Sequence, residues 1–159
     1  RYKMSSNGLK VLGIAKAEIG TTETPANSNK QKYGKWFGYN GVAWCAIFVS
    51  WCYNFSGFPL GKIGYTKGMA GCMTGVNHFR STGEVTATPQ AGDIVFFDFN
   101  KDGRWDHVGL FVRGIDKDTF ETIEGNTGLK NDSNGGEVMT RVRKYSTALF
   151  VHPKVLDAA

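Results

Sequence analysis

The sequence predicts an α+β fold, with helices packed on one face of an antiparallel β-sheet and arranged helices first, strands second. Three observations carry this. Apolar residues recur at helical spacing up to Thr82, strand-length apolar runs follow it, and Gly, Asn and Asp clusters separate those runs. A length of 159 residues, 41% hydrophobic and 21% charged, suits one globular domain spanning the whole chain, large enough to bury a core unaided by metals or disulfides.

The first helix is expected over about Gly8 to Ile19, capped by Ser6 or Asn7 and stopped by Gly20, with Leu9, Leu12, Ala15 and Ile19 as its apolar face. Thr21 to Gly41 is too rich in Gly, Asn, Thr and Pro for a long regular element. It reads as a long loop carrying Trp36, Phe37 and Tyr39, aromatics that either pin the loop to the core or meet a ligand. Trp44 to Gly57, WCAIFVSWCYNFSG, is apolar nearly all round and reads as a buried central helix with Gly57 as its stop. A shorter helix follows over Gly71 to Ser81, with Cys72, Val76 and Phe79 turned inward. Six strands are expected: Glu84 to Ala87, Asp93 to Phe99, His107 to Arg113, Thr119 to Glu124, Glu137 to Tyr145 and Ala148 to Val151.

Nineteen Lys and Arg against fourteen Asp and Glu leave a formal charge of +5, which suits an anionic partner. The charges are scattered, with only a small cluster at Arg141 to Tyr145, so the basic stripe of a nucleic-acid binder is missing. No apolar run approaches the roughly 18 to 20 residues of a membrane helix, and no export signal is visible in RYKMSSNGLKVLG. The expectation is a monomer with neither nucleic acid nor membrane as its partner.

The three cysteines are Cys45, Cys52 and Cys72. On one helix, Cys45 and Cys52 lie about 10 Å apart along the axis, too far for a disulfide, so at least one free thiol is expected. Cys45 opens the buried helix, where unpaired N–H groups and the helix dipole favour a thiolate and can stabilise an oxyanion. A thiol nucleophile usually needs an imidazole base. His78 reads as a solvated helix residue and His152 precedes a proline near the chain end. His107 opens an apolar strand after a polar loop, where it can face a cleft. The following strand ends in Glu124 and Asn126, and a hairpin would bring this end beside His107, so that either side chain could orient the imidazole.

The loop before His107, within DFNKDGRWDHVGLF, admits a hairpin turn, a cation site and delivery of a catalytic histidine. Asp98, Asn100, Asp102, Gly103 and Asp106 follow D-x-[DN]-x-[DN]-G with a further acid at position nine, and Arg104 would offer its carbonyl at position seven. Position twelve is Gly109 rather than Glu, so an EF-hand is incomplete. Three carboxylates within nine residues repel one another unless a cation joins them, and calcium is the expected ion.

The WCAIFVSWC helix opening, GDIVFFD, DHVGLF and IEGN, in that order, resemble the CHAP domains. These are cysteine- and histidine-dependent amidohydrolases/peptidases of bacterial cell-wall metabolism and phage endolysins. The resemblance runs from about Gly8 to Pro153 and implies a papain-like fold, a nucleophile helix on an antiparallel sheet. It places the family's nucleophile on Cys45, its base on His107, its orienting acid on Glu124 and its alternative orienting asparagine on Asn126. Acidic loops before the histidine occur in CHAP domains that bind calcium. The implied substrate is peptidoglycan, cut at an amide bond by an enzyme made in the cytoplasm and acting at the wall, with Trp36, Tyr39, Trp44 and Trp105 as candidates to line the groove. Two other readings stand beside it: a calcium-stabilised wall-binding module without catalysis, and a toxin or transpeptidase using the same dyad.

Overall fold

The computed structural model describes residues 6–157; residues 1–5, part of the charged opening stretch, lie outside them. Four helices precede six strands: α1 Ser6–Lys16, α2 Lys32–Phe37, α3 Cys45–Phe55, α4 Cys72–Thr82, β1 Val85–Thr86, β2 Ile94–Phe97, β3 His107–Gly114, β4 Thr119–Thr127, β5 Glu137–Lys144 and β6 Ala148–Val151. The strands form one antiparallel sheet in the order β1-β6-β2-β3-β4-β5. The predicted α+β, papain-like arrangement is the one observed.

Helix α3 is the centre of the molecule. Residues Ala46 to Ser50, Cys52 and Tyr53 are buried, and α3 lies over β3 and β4. Each large side chain removed from water here contributes roughly 1.5–3 kcal/mol. The helix ends in a Schellman motif around Gly57 (φ +93°): Phe58 N–H donates to the Tyr53 carbonyl at 2.9 Å and Gly57 N–H to Asn54 at 3.2 Å. Alternate strand residues Ile94, Phe96, Val108, Leu110 and Ile123 meet the helices, while Val95, Phe97, Phe111, Phe120 and Phe150 build an aromatic cluster on the opposite face.

Two elements differ from expectation. Helix α1 ends at Lys16, and its buried face is Gly8, Val11, Leu12 and Ala15, leaving Leu9 and Ile19 about half exposed. The Asn7 amide donates to the Leu156 carbonyl (2.8 Å), which ties α1 to the C-terminal end of the chain. Within the expected loop, α2 forms because packing outweighs composition. Tyr33 is buried against Trp44, Phe48 and Trp51, and its hydroxyl donates to Glu18 (2.8 Å). Gln31 caps the start through the Gly34 N–H (2.7 Å), and Gly38 at φ +90° closes the end.

Candidate active site

Cys45 is the first residue of α3, behind an N-cap, Trp44, that makes no side-chain capping bond. The opening turn therefore keeps N–H groups without intrahelical partners beside the sulfur. Cys45 is 6% exposed, and its Sγ lies 3.9 Å from Sγ of Cys72, the first residue of α4. The Cys45 thiol is held well below its ordinary pKa. Hydrogen bonding from Cys72 is the largest cause; burial opposes it, and His107 and the Val108 N–H reinforce it. Cys72 is pushed well up in turn, chiefly by that same bond and then by burial, so it remains the S–H donor.

His107 begins β3 and is fully buried, stacked on Phe97 and Phe99. Its Nε2 lies 2.8 Å from Glu124 Oε1, and its buried Nδ1 has no hydrogen-bond partner among the described residues. Burial disfavours the imidazolium, but the Glu124 carboxylate and the Cys45 thiolate outweigh it and raise the pKa to about 9. Glu124, also fully buried, is held at about 2: burial opposes ionisation, and Arg143 and His107 overcome it. Arg143 grips the carboxylate with two donors, Nη2 to Oε1 at 2.6 Å and Nε to Oε2 at 2.9 Å, and the Thr122 hydroxyl donates at 2.5 Å. Asp132 accepts from Arg143 Nη1 at 2.8 Å, and the Arg143 guanidinium covers the Phe99 ring.

Two glycines make room for this chain of charges. Gly109 lies on β3 beside Glu124, and a Cβ there would come within 2.5 Å of Glu124 Cγ. Gly125 brings β4 against α3, since a Cβ on it would meet the Phe48 side chain at 2.7 Å. The sheet thus offers His107 and Glu124 at its strand ends while α3 brings Cys45 from the helical layer.

The other predicted residues separate. Asn126 is buried at φ +57°, past a bulge in β4; its side-chain N–H donates to Asn134 Oδ1 (3.2 Å) and its Oδ1 accepts from Gly136 N–H (3.1 Å). It holds the loop before β5, and Glu124 is the side chain bonded to the imidazole. Trp44 does not line a groove: it is fully buried, and its indole N–H donates to Glu23 at 2.9 Å. Trp36 and Tyr39 belong to an aromatic patch with Phe37, Phe55 and Tyr65, which Trp51 joins to the Tyr33 cluster. Trp105, within the acidic loop, meets α4: its ring lies under Arg80 and its backbone N–H is 3.4 Å from Met73 Sδ.

The acidic loop is the β2–β3 hairpin connection, closed by the Asp106 N–H to Phe97 carbonyl bond (2.8 Å). Oxygens of Asp98, Asp102 and Asp106 lie within 4.8 Å of one another. Asp98 accepts from the Asp102 and Gly103 N–H groups at 3.2 and 2.8 Å, Asp102 from Arg104 N–H at 2.9 Å, and Asp106 from Phe99 N–H at 3.1 Å. The Asn100 side chain bonds to Asp102, which sits below the usual carboxylate range mainly through the Arg104 N–H. Hard oxygen donors held this close fit a calcium ion.

Arg143 and Cys72 are functional-site residues that sequence reasoning passed over. Arg143 carries a readable signal, because it alternates with Arg141 on β5 opposite Phe120 and Thr122. Cys72 carries none, since its place beside Cys45 comes from the loop tied down by Ser50, whose hydroxyl accepts from Met69 N–H (3.1 Å).

A thiol held low at a helix start, an imidazole beside it and a buried carboxylate behind the imidazole define the class of cysteine, histidine-dependent hydrolases. The chain belongs to the CHAP family: the family model described as CHAP domain matches residues 37–126, more than half of its length. No curated protein matches it. Membership makes it a hydrolase of the amidohydrolase/peptidase type with bacterial peptidoglycan as the substrate the family points to. Among the described residues no helix is long and apolar enough to cross a membrane.

Proposed function

We propose that this domain cleaves amide bonds of peptidoglycan through Cys45, as an endopeptidase or an N-acetylmuramoyl-L-alanine amidase acting in the manner of a phage endolysin. The observation that carries the reading is the grouping of Cys45, His107 and Glu124, with the imidazole bonded to Glu124 at 2.8 Å and the thiol held low, His107 being one of the causes. The Cys45 thiolate attacks the peptide carbonyl, and N–H groups at the opening turn of α3 meet the developing oxyanion. His107 gives its proton to the leaving amine from the nitrogen facing the sulfur. It then takes a proton from water, whose oxygen attacks the thioester and releases the acid. Glu124 keeps the ring oriented and charged, and a net charge of +5 suits an anionic wall. Cys45→Ala should lower clearance of a wall suspension at least about a thousandfold while wall binding persists. Unimpaired clearance would overturn this mechanism, and wall binding without clearance by the wild type would favour a binding module.

Calcium is proposed for the β2–β3 loop, held by Asp98, Asn100, Asp102, Asp106 and the Arg104 carbonyl. Bound there, it would neutralise three carboxylates and stiffen the loop that ends at His107. Chelator-treated protein should release or take up heat on calcium titration and melt at a higher temperature with calcium. No heat at about millimolar calcium, with an unchanged melting temperature, would contradict the assignment.

A further inference from the structure

Cys72 is a second thiol in contact with the nucleophile, and the hydrolytic chemistry derived above consumes none of its reactivity. It opens α4 at partial exposure, between the exposed residues Gly71 and Met73, whereas Cys45 is nearly covered. The two sulfurs are in contact at 3.9 Å, about 2 Å more than a disulfide bond. Cys52 offers the internal control: it lies two turns along α3, is fully buried, and burial pushes its thiol up.

We propose that Cys45 and Cys72 are a reversible oxidation site, closing to a disulfide when the enzyme meets a hydroperoxide and thereby switching hydrolysis off. In the first step the Cys45 thiolate attacks the peroxide O–O bond, giving Cys45 sulfenic acid and hydroxide (alkoxide from an organic peroxide). In the second the Cys72 sulfur attacks the sulfenic sulfur; the S–O bond breaks, the S–S bond forms, and the Cys72 proton leaves with the hydroxyl as water. One peroxide is reduced and two thiols are oxidised. An external dithiol reverses it by exchange, returning both hydrogens and becoming a disulfide itself. The neighbouring thiol also intercepts the sulfenic acid before a second peroxide can carry Cys45 to the irreversible sulfinic acid.

The test treats the folded protein with hydrogen peroxide in several-fold molar excess, enough for two successive oxidations of one thiol, and follows intact mass, a non-reducing peptide map and activity. The wild type should lose about 2 Da, yield one linked peptide pair containing Cys45 and Cys72, and lose activity that dithiothreitol restores. Cys72→Ala should instead gain about 32 Da at Cys45 and lose activity beyond recovery, whereas Cys52→Ala should behave as the wild type. Direct sulfinic acid formation at Cys45 in the wild type, or a linkage through Cys52, would overturn the proposal. So would full dithiol recovery of Cys72→Ala. The loss of activity rests on Cys45 being the nucleophile, but the mass and peptide map do not. A linked pair in a protein that stays active would therefore sink the hydrolytic reading and leave the oxidation site standing.

Discussion

Glu124 is without solvent exposure yet ionised, because Arg143, Thr122 and His107 together direct four donors at its two oxygens. A buried carboxylate without them would be protonated and could not hold an imidazolium. The consequence is a pH profile. With His107 at about 9, kcat/KM should fall on an alkaline limb near that pH, where the leaving amine loses its proton donor. In Glu124→Gln the charge that raises His107 is gone, so the limb should move to lower pH as well as the maximum falling. A limb that stays near 9 in that variant would show that Glu124 does not set the histidine. Sequence reasoning reached Glu124 but left it level with Asn126, since both stand at the end of one strand. Only the bulge that turns Asn126 toward Asn134 and Gly136 separates them.

At the scale of elements, the site needs β3 and β4 to run flush while α3 presses on them, and glycine permits both contacts. Gly109→Ala would place a Cβ within 2.5 Å of Glu124 Cγ and 3.2 Å of the Ile123 carbonyl. The carboxylate must then move, and we expect kcat/KM to drop about tenfold to a hundredfold with stability lower by about 1–3 kcal/mol. Urea unfolding beside steady-state kinetics checks both, and a variant with unchanged kcat/KM would show that the site tolerates displacement of Glu124. Most elements were legible because period and punctuation agree: α3, α4 and the six strands fall within a few residues of their predicted ranges. The exception, α2, is capped locally by Gln31 but held by Tyr33 inside an aromatic cluster with Trp44 and Trp51, contacts with residues distant in sequence that local composition cannot express. Trp44 failed as a groove residue for the same reason, its partner Glu23 lying 21 positions back.

For the whole molecule, the paired shifts of Cys45 and His107 have a thermodynamic signature. His107, raised from 6.5 to about 9, contributes stability that is complete below 6.5 and lost as pH rises through 9. Cys45, held below its ordinary 9.0, contributes in the opposite sense: its share grows as pH rises from its folded pKa and is complete only above 9. Between about pH 7 and 8 the folded pair holds one proton, on His107, and the unfolded pair also holds one, on Cys45, so the two slopes cancel. Cys45→Ala should remove this compensation. Across that interval its urea-derived stability should fall relative to wild type by up to about 1 kcal/mol per pH unit, and parallel curves would contradict a thiolate–imidazolium pair. What the sequence could not express at this scale is the closure of the site by a distant segment: Cys72 from α4 reaches Cys45 across 27 positions of chain. The central claim, that Cys45 hydrolyses wall amides, is tested most directly by mass spectrometry of purified peptidoglycan digested with wild type and with Cys45→Ala. The wild type should release fragments with new amine and carboxyl ends at one type of amide bond, and the variant none. Release of the same fragments by Cys45→Ala, or wild-type fragments cut at a glycosidic bond, would contradict the account.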